Sequence, residues 1–184
     1  MAVTAGNLDE ARLALSDQVN ASGRGVSWRV LSVGVMVLLL LAGCANTVFH
    51  FFSFDASESP GIEILDYQYG ESRQPRARPT EASKRNGEVR QAARMGGDIL
   101  RPDKLYVKWR VRATGVAYEQ TVNLKQLLPR DIEEHEVHFT VEGARLYVYL
   151  ISPKRVKPGE TGGPGQYRFR KTTTLWSGLG QHVS

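Results

Sequence analysis

Residues 105–112 read Leu-Tyr-Val-Lys-Trp-Arg-Val-Arg, and this stretch decides the fold class. Leu105, Val107, Trp109 and Val111 fall on one parity, and Tyr106, Lys108, Arg110 and Arg112 on the other. Such alternation is the mark of a strand with one face in a core and one in water. Ala113-Thr114-Gly115 supplies a turn, and residues 118–124 return as the hairpin partner. The pattern breaks at Leu127-Leu128-Pro129-Arg130-Asp131 and then resumes, with Val137, Phe139 and Val141 alternating with His138 and Thr140. A turn at Glu142-Gly143-Ala144 leads into residues 146–151, Leu-Tyr-Val-Tyr-Leu-Ile, as the second returning strand. Trp109 and Phe139 sit on the apolar parity of their strands and are expected in the core.

Outward from the two hairpins the signal weakens. Residues 61–69 (GIEILDYQY) are rich in strand formers, but Ile62, Ile64, Asp66 and Gln68 share one face and Glu63, Leu65, Tyr67 and Tyr69 the other. Both faces are mixed, which predicts an edge strand. Residues 153–165 (PKRVKPGETGGPG) read as a flexible loop, and residues 167–174 as a last strand alternating aromatic with basic side chains. About six short strands in roughly 120 residues predict an all-β domain over 61–176, a small antiparallel β-sandwich or open barrel, with a C-terminal tail over 177–184.

Residues 71–97 interrupt this domain with Arg73, Arg76, Arg78, Lys84, Arg85, Arg90 and Arg94 and almost no large apolar side chain. A segment of that composition buries too little to offset its ordering entropy, so it reads as a mobile basic insertion, with a frayed helix over 80–95 capped by Thr80 or Ser83. These seven basic residues are the candidate partner-binding set, as an arm for anionic headgroups or for an acidic protein. A solvated loop is the plain alternative. The stretch lacks interleaved aromatics for base stacking, so no nucleic-acid partner is expected.

The whole chain has 184 residues, 41% apolar and 23% charged, with a net charge of +5 and one cysteine. That excludes wholesale disorder, a multi-span membrane protein and an internal disulfide framework. Residues 30–41 (VLSVGVMVLLLL) carry no charge and are preceded by Arg24 and Arg29. Twelve uncharged, mostly apolar residues are short for a ~30 Å hydrocarbon core and fit the apolar centre of a signal peptide or anchor helix. Leu41-Ala42-Gly43-Cys44 follows at once and resembles a bacterial lipobox. It implies residues 1–43 as signal peptide, cleavage before Cys44 and acylation of its thiol. Residues 44–60 then form a lipidated tether whose Phe49-His50-Phe51-Phe52 cluster lies at the headgroups or packs on the domain.

The competing reading is an uncleaved single-pass anchor of the inner membrane over 30–54. Residues 1–25 hold Asp9, Glu10 and Asp17 against Arg12 and Arg24, unlike a short basic leader, and Val26 fits an alternative start. Ala45 after the cysteine favours the outer membrane, facing the periplasm.

Few residues point to chemistry. His135 and His138 are three apart in a strand-like context, not four apart on a helix as a zinc-protease motif requires. Glu133, Glu134 and Glu136 have no carboxylate partner at a set spacing, no GxSxG occurs, and Gly162-Gly163-Pro164-Gly165 lacks the lysine of a phosphate-binding loop. The expectation is a binding protein rather than an enzyme, without cofactor or metal.

Several segments together resemble a known family. They are the lipobox, Ile64-Leu65-Asp66-Tyr67-Gln68-Tyr69-Gly70, Gly96-Gly97, Leu105-Tyr106-Val107-Lys108-Trp109-Arg110, Tyr118-Glu119, Val122-Asn123-Leu124, Leu128-Pro129 and Leu146-Tyr147-Val148-Tyr149-Leu150. The resemblance, over residues 61–151, is to small Gram-negative lipoproteins whose genes lie beside type VI secretion effectors, notably phospholipases. It differs from many of them in lacking paired cysteines near the Gly-rich segment. The resemblance implies an immunity protein that neutralises a cognate effector toxin while anchored in the membrane by lipid. The alternatives are a structural or assembly lipoprotein of a secretion or envelope complex, and a glycan or small-ligand binder using exposed Tyr and Trp. The elements suited to blocking a toxin cleft are the basic arm 73–94 and the loop 153–165.

Overall fold

The computed structural model describes residues 47–157 and 159–183. The expected signal peptide over 1–43, Leu41, Ala42, Gly43 and Cys44 of the expected lipobox, the start-site question at 1–25 and Ala45 lie outside the described residues; of the alternative anchor over 30–54, residues 47–54 are strand rather than helix, because they pair in a sheet. Among the described residues nine strands form two sheets: β1 Thr47–Asp55, β2 Ile62–Tyr69, β3 Ala92–Leu100, β4 Leu105–Val111, β5 Ala117–Val122, β6 Glu136–Glu142, β7 Arg145–Arg155, β8 Arg170–Leu179 and β9 Gln181–Val183. One sheet has the order β3-β1-β6-β7-β8 and the other β2-β4-β5-β9. Every pairing is antiparallel except β1 with β6. The domain is an all-β sandwich, not closed into a barrel.

The core lies between the sheets. Phe52 stacks on Tyr69 with ring centroids 4.2 Å apart, and Phe54 on Phe139 at 4.7 Å. Trp109, 0% exposed, and Phe139 face inward as expected. The Trp109 indole N–H donates to the Gly143 carbonyl at 2.9 Å, so its polar end is satisfied in the interior. Its ring runs so close to Gly180 that a Cβ there would sit 2.4 Å from Trp109 Cη2, which makes glycine a requirement of the packing.

Several boundaries differ from the sequence expectation: the last strand, expected over 167–174, is β8, because Tyr167 closes a 3-10 turn, and β7 extends into the loop expected over 153–165. The tether expected over 44–60 is occupied from residue 47 by β1, with β3 on one side and β6 on the other. Its inner parity is His50, Phe52 and Phe54, but Phe49 and Phe51 on the outer parity hide the alternation. Of the insertion expected over 71–97, residues 92–97 belong to β3, which pairs with β1 from Ala92 opposite Asp55 to Leu100 opposite Thr47. The inner parity of β3 is Ala93, Met95, Gly97 and Ile99, whose small members give little hydropathy signal. Gly96 faces Phe51, whose ring would lie 2.2 Å from a Cβ there: the aromatic covers a glycine left bare for it. The tail expected over 177–184 holds the end of β8 and all of β9.

The helix expected over 80–95 is one short turn, α1 Glu81–Arg85, capped by the Thr80 hydroxyl accepting from the Ser83 N–H at 3.1 Å. Asn123 caps a second, α2 Leu124–Leu127. The two mixed faces of β2 come from a bulge between Ile64 and Asp66. The extra residue shifts the phase, so Ile62 and Ile64 before it and Tyr67 and Tyr69 after it are all buried. β2 is an edge strand, as expected.

Candidate functional site

The basic segment is a strap along two sheet edges. Arg76 donates to the Arg94 carbonyl at 3.1 Å and Gln74 to the Asp98 carbonyl at 3.3 Å, capping the free edge of β3. On the edge of β2, the Gln91 amide bonds both the N–H and the C=O of Ile64, at 2.8 and 3.0 Å, and the Tyr69 N–H donates to the Ala77 carbonyl. Unpaired edges invite association, and side chains of the strap cover these two. Arg76 takes a left-handed φ of 75°, a strained conformation for a residue with a Cβ, and its bond to Arg94 helps hold it there.

The seven basic residues separate into three groups. Arg76, Arg90 and Arg94 line one surface hollow of about 260 Å3, together with Ser53, Asp55 and Gln166. Lys84 is drawn away to the carboxylates of Glu81 at 2.7 Å and Asp66 at 3.4 Å. Arg73, Arg78 and Arg85 are exposed elsewhere on the strap. A second hollow of about 620 Å3 adjoins the first through Arg76 and Arg94, with Phe49, Phe51 and Pro75 in its lining. The Arg94 guanidinium stands 5.7 Å from the Phe51 ring centroid, within cation–π range.

Beneath the first hollow lies a buried polar chain that joins β1, β6 and the 156–169 segment. The Tyr167 hydroxyl donates to Glu136 Oε1 at 2.7 Å, and Arg94 bonds Glu136 Oε2 at 3.2 Å. Ser53 Oγ lies 3.1 Å from the Tyr167 hydroxyl and 2.8 Å from His138 Nδ1. The direction follows from counting protons. Tyr167 has one proton and gives it to the carboxylate, so Ser53 donates to Tyr167, and His138 Nδ1–H donates to Ser53. A serine bonded to a histidine suggests a nucleophile and its base, but here the proton runs the other way. Ser53 is 3% exposed and His138 0%. Burial also pushes the His138 pKa down to about 4, so the ring is neutral near pH 7. Desolvation raises the Tyr167 pKa, which keeps its hydroxyl a donor. The chain acts as a clamp: it fixes Tyr167, and through Glu136 it fixes Arg94 at the rim of both hollows.

Tyr167 anchors the other protruding element. It closes a 3-10 turn, Gly165–Tyr167, and is buried, while Phe169 two residues on is 60% exposed with the Arg168 guanidinium 4.8 Å from its ring centroid. Gln166 of that turn reaches the arginine hollow, so strap and loop meet there. Sequence reasoning found the three arginines and the aromatic cluster holding Phe49 and Phe51, but did not join the two, and it missed Glu136, Gln166 and Tyr167 as members of the site. The available clue was Glu136 and His138 on the outer parity of a strand, where two polar residues inside an apolar run hint at a covered face.

Among the described residues, no group of three or more His, Cys, Asp or Glu side chains is placed to hold a metal ion, and no helix is long and apolar enough to cross a membrane. His135 bonds the Glu133 carbonyl at 2.7 Å, while His138 belongs to the buried chain. Comparison with protein-family models, with curated proteins and with solved structures gives no match to this chain, so its site is read from its own residues.

Proposed function

We propose that this chain is a membrane-tethered periplasmic lipoprotein acting by protein binding, an immunity protein that neutralises a phospholipase-like type VI secretion effector. The lipobox and the resemblance over residues 61–151 support the class, and the reading assigns no catalytic residue. The observation that carries it is the build of residues 165–171. Buried Tyr167 pins the turn, and Phe169, 60% exposed beneath Arg168, projects from it. A pre-ordered aromatic beside an arginine is the composition of an interface hot spot, because little side-chain entropy remains to be lost on binding. Arg73, Arg78, Arg85, Arg168 and Lys171 are exposed around the domain and would speed encounter with an acidic partner in a salt-dependent way.

The test is co-purification of the chain with the effector encoded beside it. A stoichiometric complex that Phe169→Ala weakens at least tenfold, at unchanged thermal stability, supports this reading. The absence of a neighbouring effector gene, or a complex indifferent to both Phe169→Ala and Arg168→Ala, moves the assignment to an envelope-assembly lipoprotein.

A further inference from the structure

Arg76, Arg90 and Arg94 reach their common hollow from three points of the chain: the left-handed turn, the residue pair before β3, and β3 itself. Asp55 is the acidic side chain in the lining, and Glu136 engages Arg94 from behind. Three guanidiniums against these two carboxylates leave the hollow positive. Like charges held together raise one another's energy, and a bound anion relieves this. Guanidinium forks match phosphate oxygens two at a time, and the exposed Gln166 adds a polar residue to the same lining.

The neighbouring hollow shares Arg76 and Arg94 and adds an apolar wall. Phe49 is 42% exposed, and the outer face of Phe51 and the ring of Pro75 continue its apolar lining up to the shared Arg76 and Arg94. The geometry points to a site for the phosphate of an amphiphile: a phospholipid headgroup whose phosphate sits among Arg76, Arg90 and Arg94 while its apolar part lies on Phe49 and Phe51. Inorganic phosphate offers the same oxyanion but leaves the aromatic hollow unused, so the lipid is the source that fits both. Position along the chain agrees. β1 begins at Thr47, three residues after Cys44, so Phe49 stands within about 18 Å of that cysteine even fully extended. That last point rests on the lipid-anchor reading; the charge and the aromatic lining do not. Phe169 is not among the residues lining either hollow, although Gln166 of the turn before it lines the first.

The full chain, purified in an uncharged maltoside detergent, is titrated calorimetrically with dihexanoyl phosphatidylglycerol and, separately, with inorganic phosphate. The lipid should bind at least tenfold more tightly than phosphate. Arg90→Gln, an exposed position away from the core, should weaken both at least tenfold, Phe49→Ser should weaken the lipid alone, and Arg85→Gln should change neither. Equal affinities for the two ligands, both lost in Arg90→Gln, would overturn the lipid assignment in favour of free phosphate. No binding, or binding unchanged in both Arg90→Gln and Arg76→Gln, would overturn the site, with the thermal midpoint of each variant recorded to show that it is folded. No toxin enters this titration, so its failure and that of the neutralisation reading are distinguishable.

Discussion

Removing one oxygen atom, in Tyr167→Phe, tests the buried chain beneath the arginine hollow. The hydroxyl holds two bonds, 2.7 Å to Glu136 Oε1 and 3.1 Å to Ser53 Oγ, and both partners are buried. A bond to a charged acceptor contributes about 1.5–3 kcal/mol and a neutral one about 0.5–1.5 kcal/mol. The phenyl ring keeps its edge contact with His138, at 4.9 Å between centroids, so the substitution opens no appreciable cavity. The expected cost is therefore roughly 2–4 kcal/mol. In urea, at a slope of about 2 kcal/mol per molar, the unfolding midpoint should fall by about 1–2 M at an unchanged slope. The direction of the chain adds a second quantity. Ser53 donates to Tyr167, so Ser53→Ala should cost less in the Tyr167→Phe background than in the parent, with a coupling of at least about 0.5 kcal/mol. A cost below about 0.5 kcal/mol for Tyr167→Phe, or additive effects in the cycle, would refute both the assignment of the protons and the role of the clamp.

Trp109→Ala removes the largest fully buried side chain and should cost on the order of 3–5 kcal/mol in the same urea assay. Gly96→Val forces a Cβ into the Phe51 ring and should destabilise by about 1–3 kcal/mol, most of it recovered in Phe51→Ala, as thermal melts of the single and double variants would show. His138 is buried neutral with a folded pKa of about 4 against 6.5 unfolded, so its contribution is complete above pH 6.5 and is lost as pH falls towards 4. Between those limits stability should drop by about 3 kcal/mol from this group, and His138→Gln should flatten the profile; His50, also depressed by burial, adds to the same slope. Cys44→Ser should move the chain out of the detergent phase in a partitioning assay, and retention there would favour the uncleaved anchor.

The fold was legible where one face of a strand is apolar and the other polar. Leu105 to Val111, Val137 to Val141 and the strands that return from them carry that contrast, and all are strands in the sandwich. It was not legible where the sequence lacks that contrast between the two faces. β1 has phenylalanine on both parities, because one side faces the core and the other meets Gly96, Arg94 and the 156–169 segment. β3 has alanine and glycine where larger core residues would have announced it, and on its outer face Gly96 is left bare for the Phe51 ring. The bulge in β2 shifts its phase by one residue, which no fixed period can follow. For the site, charge alone marked Arg76, Arg90 and Arg94, but Lys84 carries the same charge and is spent on Asp66 and Glu81. Which cations stay together depends on chain reversals at Arg76 and Gly87 that bring the strap back along the edges. Glu136 and Tyr167 lie 31 residues apart, and local sequence carries no sign that they meet.

Neutralisation of a toxin is the central claim, and growth measures it most directly. The genes adjoining this one are searched for the phospholipase effector that the proposal requires, and that effector is directed to the periplasm of a susceptible bacterium, alone or with the full chain. Growth should be restored by the full chain and lost again with Phe169→Ala present at equal abundance. Growth arrest that persists with the unaltered chain at the membrane would contradict the account.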